Sequence, residues 1–284
     1  MTVAQFLHAL AIDPMGMTKD LQTVLRSREQ LEVDHGTSSQ TSLLLQNDRF
    51  KLWCSSIDPT LLLVDASLVA GGCMPKISPL SSACASIVAS IIKAQPDSIP
   101  LFYFCGLHNF PQDPLQGPRG LMRTLVAGLL VELDGRSLVN LDFTDTHSYR
   151  QALESYDTLS LCHAFRRLIH QWPVDTVVYC VIDGIGWCDR AGWSADLEQI
   201  LDVLYELVHD RRLRPIFKVL ISSPMRSQTI SNVVRREDTI FLGAEASPAR
   251  EEFLPERYIL LNETKAEFLQ LGESEDVKDD DYYN

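Results

Sequence analysis

Nothing in the chain approaches the ~18-residue apolar run that a membrane-spanning helix requires. Its first residues, MTVAQFLHALAIDPMGM, carry no basic stretch ahead of a short apolar run that Asp13 closes, so no secretory signal is read there. No CxxC pair occurs either. The seven cysteines, at 54, 73, 84, 105, 162, 180 and 188, are odd in number and lack the spacing of a zinc site or a disulfide framework. That usage fits a reducing, cytoplasmic compartment. Cys105 in LFYFCGL and Cys180 in VVYCVID sit inside apolar runs, where a free thiol behaves as a small hydrophobe. Basic residues are scarce: 25 Lys and Arg against 38 Asp and Glu leave a net charge of −13. Six acids against Lys278 alone lie in Gly272–Asn284, and the chain stays acidic without them. A nucleic-acid backbone needs a basic face that this composition does not advertise. Neither nucleic acid nor a membrane is therefore expected as a partner.

What is present is ordinary globular material. Apolar residues make up 45% and charged residues 22% of 284 positions, enough for one large domain or a core with appendages. Residues 1–57 read as a helical lead-in, with helical spacing over Ala4–Ala11, a polar helix at Lys19–Leu31 and a loop at Asp34–Ser42. Arg49–Ser55 then leads to the Asp58-Pro59 turn. Short, nearly all-apolar runs follow at Leu61–Ala66, Leu101–Leu107, Thr176–Ile182, Phe217–Ser222 and Thr239–Leu242. Helical patterns separate them at Pro79–Ala94, Pro118–Leu133, Ser148–Gln171 and Ser194–His209. Strands of this composition are buried on both faces, which predicts a five-stranded parallel sheet covered by helices on each side. Ligands of such a sheet bind at the carboxyl ends of its strands. Residues 58–261 are assigned to this core, and 262–284 to a helix remnant and an acidic, disordered tail.

The clearest chemical feature is VVYCVIDG, where Asp183-Gly184 closes the third strand. An acid at that place holds Mg²⁺ in P-loop NTPases. Capping of the next turn, with Gly184 allowing the bend, accounts for it equally well. The fourth strand ends in Ser222-Ser223-Pro224, with Arg226 just beyond.

In order and spacing these features resemble the fungal NACHT and nephrocystin-like branch of the signal-transducing P-loop NTPases, over roughly Phe6–Leu261. Phe50 and Trp53 match that family's aromatic lead-in, and LFYFCGL followed by GPRGLMRTLVAGLL matches its second strand and helix. VVYCVIDG matches its acidic strand, and VLISSPMRS its sensor strand. The resemblance implies a P-loop NTPase-like fold and a site for ATP or GTP with Mg²⁺. Asp183 would position the metal, Lys76 and Ser78 would touch phosphate, and Ser223 or Arg226 would sense the terminal phosphate.

The departure from the family comes at the phosphate loop itself. A phosphate loop needs GxxxxGK[ST], and the chain offers LVAGGCMPKISPLSSACAS. With Lys76 as the motif lysine, Pro75 replaces the second glycine and Ile77 the hydroxyl residue. Proline has no N–H to donate and a fixed φ. Gly186 and Trp187 also stand where the family places further acids, and Asp189 lies too far along to replace them. The expectation is a pseudo-NTPase scaffold or protein-interaction module. The alternative is a Mg²⁺-dependent nucleotide-binding switch with weak NTPase activity, in which Lys76, Ser78 and the start of the following helix still receive an anion.

Other constellations are weaker. Cys162, His163 and His170 share a predicted helix, but no acid orients them and adjacent side chains diverge. His108 lies near the carboxyl edge of the sheet, where a locally bonded loop histidine is the simpler reading. Arg119 and Arg123, four apart, either pair with acids or form a partner-contact face. Trp187 and Trp193 flank the Asp183 loop and either stack a base or fill a vacated pocket.

Overall fold

Five strands form one sheet in which all neighbours are parallel: β1 (Thr60–Asp65), β2 (Ile99–Phe104), β3 (Val177–Asp183), β4 (Ile216–Ser223) and β5 (Thr239–Phe241), in the order β2-β3-β4-β1-β5. The computed structural model describes residues 1–31, 38–66, 76–224 and 227–242 of the chain. These lie within one unit, Met1–Ala246, so the lead-in and the sheet pack together.

The apolar runs divide by alternation between two cores, as a pleated strand demands. On one face Leu61, Leu63, Leu101, Tyr103, Cys180, Ile182, Val219 and Ile221 pack beneath α1 (Val3–Leu10), α6 (Gly117–Gly135), α8 (Thr158–Ile169) and α9 (Ser194–His209). On the other, Leu62, Val64, Phe102, Phe104, Tyr179, Val181 and Leu220 meet α2 (Gly16–Leu31), α3 (Ser38–Gln46), α4 (Asp48–Ser55) and α5 (Pro79–Ala94). Helices therefore cover both faces, as expected. Completing the order are α7 (His147–Glu154) and α10 (Gln228–Val233).

Two local expectations are corrected. The helix expected over Ser148–Gln171 is two helices, α7 and α8. Tyr156 adopts φ +58°, and the Asp157 N–H reaches back to Ala152 O at 2.9 Å, a left-handed helix stop. Asp157 then caps α8 by accepting from the Ser160 N–H at 2.9 Å. Residues 38–42, expected in a loop, belong to α3, whose Leu44 is buried against the α5 side of the sheet. Tertiary burial overrides the poor helix propensity of SSQTS there.

The lead-in is fastened to the sheet by α4. Asn47 caps it through the Arg49 N–H at 3.0 Å, and its buried Trp53 donates from Nε1 to Val219 O at 3.1 Å. Lys218, buried in β4, lies between the Trp53 and Tyr179 rings and donates to Ser56 O at 2.6 Å. Burial holds its pKa below the ordinary lysine value.

Candidate functional site

Because β4 lies between β1 and β3, their carboxyl ends bring Asp65, Asp183, Ser222 and Ser223 to one edge of the sheet. Alternation sends Asp183 and Ser222 toward α5 and Ser223 toward the opposite face. Asp183 is 1% exposed, and its Oδ1 accepts from Ser222 Oγ at 2.6 Å. Ser222 Oγ in turn accepts the Gly184 N–H at 3.0 Å. Ser81 and Cys84, both on α5, lie near enough to Asp183 to favour its charged form. Burial raises the pKa of the Asp183 carboxyl above its ordinary value, and the hydrogen bonds from Ser222, Ser81 and Cys84 oppose that rise. The Cys84 thiol is likewise pushed well up, by burial first and by Asp183 second.

The turn after Asp183 needs its glycine. Gly184 has φ +70°, and a β-carbon there would lie 3.2 Å from the Trp187 indole, which packs over the turn. Further along, Asp189 accepts from Thr229 Oγ1 at 2.7 Å and from Ser227 Oγ, joining the loop after β3 to the start of α10. Its carboxylate is thus occupied on both oxygens.

The residues expected at the phosphate end are engaged within the protein. Ser78 is the N-cap of α5: its Oγ accepts the Ser81 N–H at 3.1 Å, and Ser81 Oγ accepts the Ser78 N–H at 2.9 Å. Pro79 contributes no donor, and the Ser82 N–H goes to Ser78 O at 3.2 Å. Lys76 is exposed, with Nζ 3.6 Å from the centre of the Phe110 ring. Its carbonyl presses on Gly106, where a β-carbon would fall 1.9 Å from Lys76 O. Ser223 accepts the Ala66 N–H at its carbonyl at 2.9 Å and faces Asp65 in register. Pro75 and Arg226 lie outside the described residues, as do 243–284 with the expected tail. Of the five expected site residues, Ser78 and Asp183 are brought together, and Ser81 is the link between them.

A magnesium nucleotide requires a carboxylate and a hydroxyl free to turn toward the metal, plus backbone donors free for phosphate. Here the acid is buried and bonded to Ser222, with Ser81 and Cys84 beside it, while the hydroxyl and N–H groups of Ser78 and Ser81 serve the capping box. The described residues do not fit that group.

The remaining candidates resolve differently. His108, 10% exposed, is bonded through Nδ1 to Asp113 at 2.9 Å and through Nε2 to Asp20 of α2 at 3.0 Å, and its ring stacks on Tyr103. Burial lowers its pKa, but the two carboxylates outweigh burial and leave it raised. Arg123 is buried, so no contact face with Arg119 exists. It donates to Leu10 O at 2.6 Å, Pro114 O at 2.7 Å and Ala11 O at 3.1 Å. Arg119 pairs with Asp196 at 2.8 Å beside a cleft of about 250 Å³ that Trp193 also lines. Arg190 lies 5.7 and 5.5 Å from the Trp187 and Trp193 rings. Cys162 is buried, its thiol pushed to about 12, while His163 bonds Tyr149 and His170 meets Asp210. No cysteine–histidine catalytic arrangement forms among them.

No protein-family model and no curated protein matches the chain.

Proposed function

We propose that this chain is a P-loop NTPase-like domain of the NACHT kind whose nucleotide site has become a structural joint, so that it acts as a scaffold or protein-interaction module with little or no hydrolysis. One observation carries the reading: the Asp183 carboxyl is buried, accepts a hydrogen bond from Ser222 of β4 and lies against Ser81 and Cys84 of α5. In a working site the motif hydroxyl and the strand-end acid hold one Mg²⁺ between them. The helix hydroxyl that meets the acid here is that of Ser81. The residue before it, in the position of the motif lysine, is then the buried Leu80 rather than Lys76. Counted this way the motif has lost its cation as well as its glycine, since Pro79 stands ahead of Leu80.

Thermal unfolding with and without Mg-ATP and Mg-GTP tests the proposal, with Asp183→Asn in parallel. A ligand at 100 times its Kd stabilises a fold by ~2.7 kcal/mol, roughly 5–10 °C for a domain of this size. The expected result is no shift at millimolar nucleotide. A Mg²⁺-dependent rise that Asp183→Asn abolishes would overturn the scaffold reading and establish the nucleotide-binding switch instead.

A further inference from the structure

The opposite edge of the sheet carries a second feature, independent of whether nucleotide binds. The helices α8 and α9 both end there, joined by His170 Nε2 and Asp210 Oδ2 at 3.5 Å. Arg166 and Arg167 occupy the last turn of α8, and Arg211, Arg212 and Arg214 follow α9 in the short connection to β4. Two of the nearby acids are already engaged. Glu206 pairs with Arg166, and Asp210 accepts the Arg212 backbone N–H at 2.8 Å besides meeting His170. Among the described residues no carboxylate pairs with the side chains of Arg167, Arg211, Arg212 or Arg214, and all four are exposed. The negative end of a helix dipole accounts for Arg166 and Arg167. It does not account for three arginines beyond the last turn, since that effect fades within one turn. In a chain of net charge −13 they form a local reversal of sign.

We propose that this edge docks an acidic peptide segment of a partner protein through Arg211, Arg212 and Arg214. A guanidinium offers carboxylates a planar two-donor fork, and three such forks within four residues match a short run of Asp and Glu. A nucleic-acid duplex is the poorer occupant. It extends well past a Debye length of ~8 Å, which lays its phosphates over the acidic remainder of the surface.

The test uses the full chain and a fluorescein-labelled peptide of alternating Glu and Ser, read by anisotropy at low and physiological salt. Saturable, salt-sensitive binding is expected. The triple variant Arg211→Glu, Arg212→Glu, Arg214→Glu should weaken it by roughly 10–100-fold, the sum of three partly exposed ion pairs. Replacing the same three residues by lysine keeps the charge and loses the fork, and should weaken binding by about threefold to tenfold. Arg26→Glu, on an exposed part of α2, should leave it unchanged. Unaltered thermal midpoints establish that the variants fold. Failure of the peptide to bind, or equal binding by the triple-glutamate variant, overturns the proposal. So does tighter binding of a duplex oligonucleotide, which would make the ligand a polyphosphate. Self-association of the chain that the triple variant abolishes would also overturn it, assigning the edge to a second copy.

Discussion

Replacing His108 by glutamine should destabilise the protein at pH 6 and have little effect at pH 9. Both ring nitrogens of His108 lie within hydrogen-bond reach of carboxylate oxygens, Asp113 at 2.9 Å and Asp20 at 3.0 Å. Only the doubly protonated ring donates to both, since a neutral ring turns a lone pair toward one of them. The raised pKa has the same origin: the two acids favour the charged form more than burial opposes it. The sign of the linkage follows. A histidine whose folded pKa exceeds its unfolded value of ~6.5 adds stability that is complete below the unfolded value and fades as pH rises through the folded one. A hydrogen bond to a charged group contributes about 1.5–3 kcal/mol, and glutamine can replace one donor but not the charge. The variant should therefore lose roughly 2–3 kcal/mol at pH 6, a midpoint fall of about 4–10 °C. Urea unfolding of both proteins across this pH range is the assay. Hydrogen exchange should locate the loss in α2, which Asp20 ties to the loop after β2. An equal deficit at both pH values would refute the argument, because it would mean that His108 acts by shape and not by charge.

The Asp183 carboxyl, raised by burial, binds its proton more tightly in the folded state, so it lowers stability as pH climbs from the unfolded value toward the folded one. Asp183→Asn should flatten that slope at little cost near pH 7, whereas Asp183→Ala strands the buried Ser222 hydroxyl and should cost ~1–3 kcal/mol in denaturant titration. Parallel slopes for parent and asparagine variant would count against a raised carboxyl pKa. Arg123→Met keeps much of the volume but leaves three carbonyls without a donor, and a loss of ~3–5 kcal/mol is expected in urea. A loss below ~1 kcal/mol would show that water replaces the guanidinium without penalty.

How much of this was legible in the sequence depends on the range of the interaction. The strand runs were readable because burial on both faces keeps them nearly all apolar, as in LLLV and VVYCVI, with Lys218 of β4 the exception. Asp183 was readable as the polar stop on such a run. Its partners were not, because Ser222 meets it only through the pairing of β3 with β4, and Ser81 only through the packing of α5 on the sheet. Motif spacing pointed to Lys76, yet its ammonium lies on Phe110, a contact that depends on where the loop after β2 runs. The break at Tyr156 escaped for a local reason. A left-handed tyrosine carries no compositional mark, although Asp157 three residues before Ser160 was a usable cap signal.

Arg123 holds Leu10, Ala11 and Pro114 entirely by their carbonyl oxygens. Every amino acid presents that atom, so these three bonds place no demand on the identity of the residues gripped, and only the Tyr156 ring, 3.7 Å from the guanidinium carbon, does. In a mutational scan, position 123 should be intolerant while exposed Ala11 accepts polar substitutions compatible with its left-handed φ of 47°. The protein thus concentrates in one side chain the selection that would otherwise be shared by two separate loops.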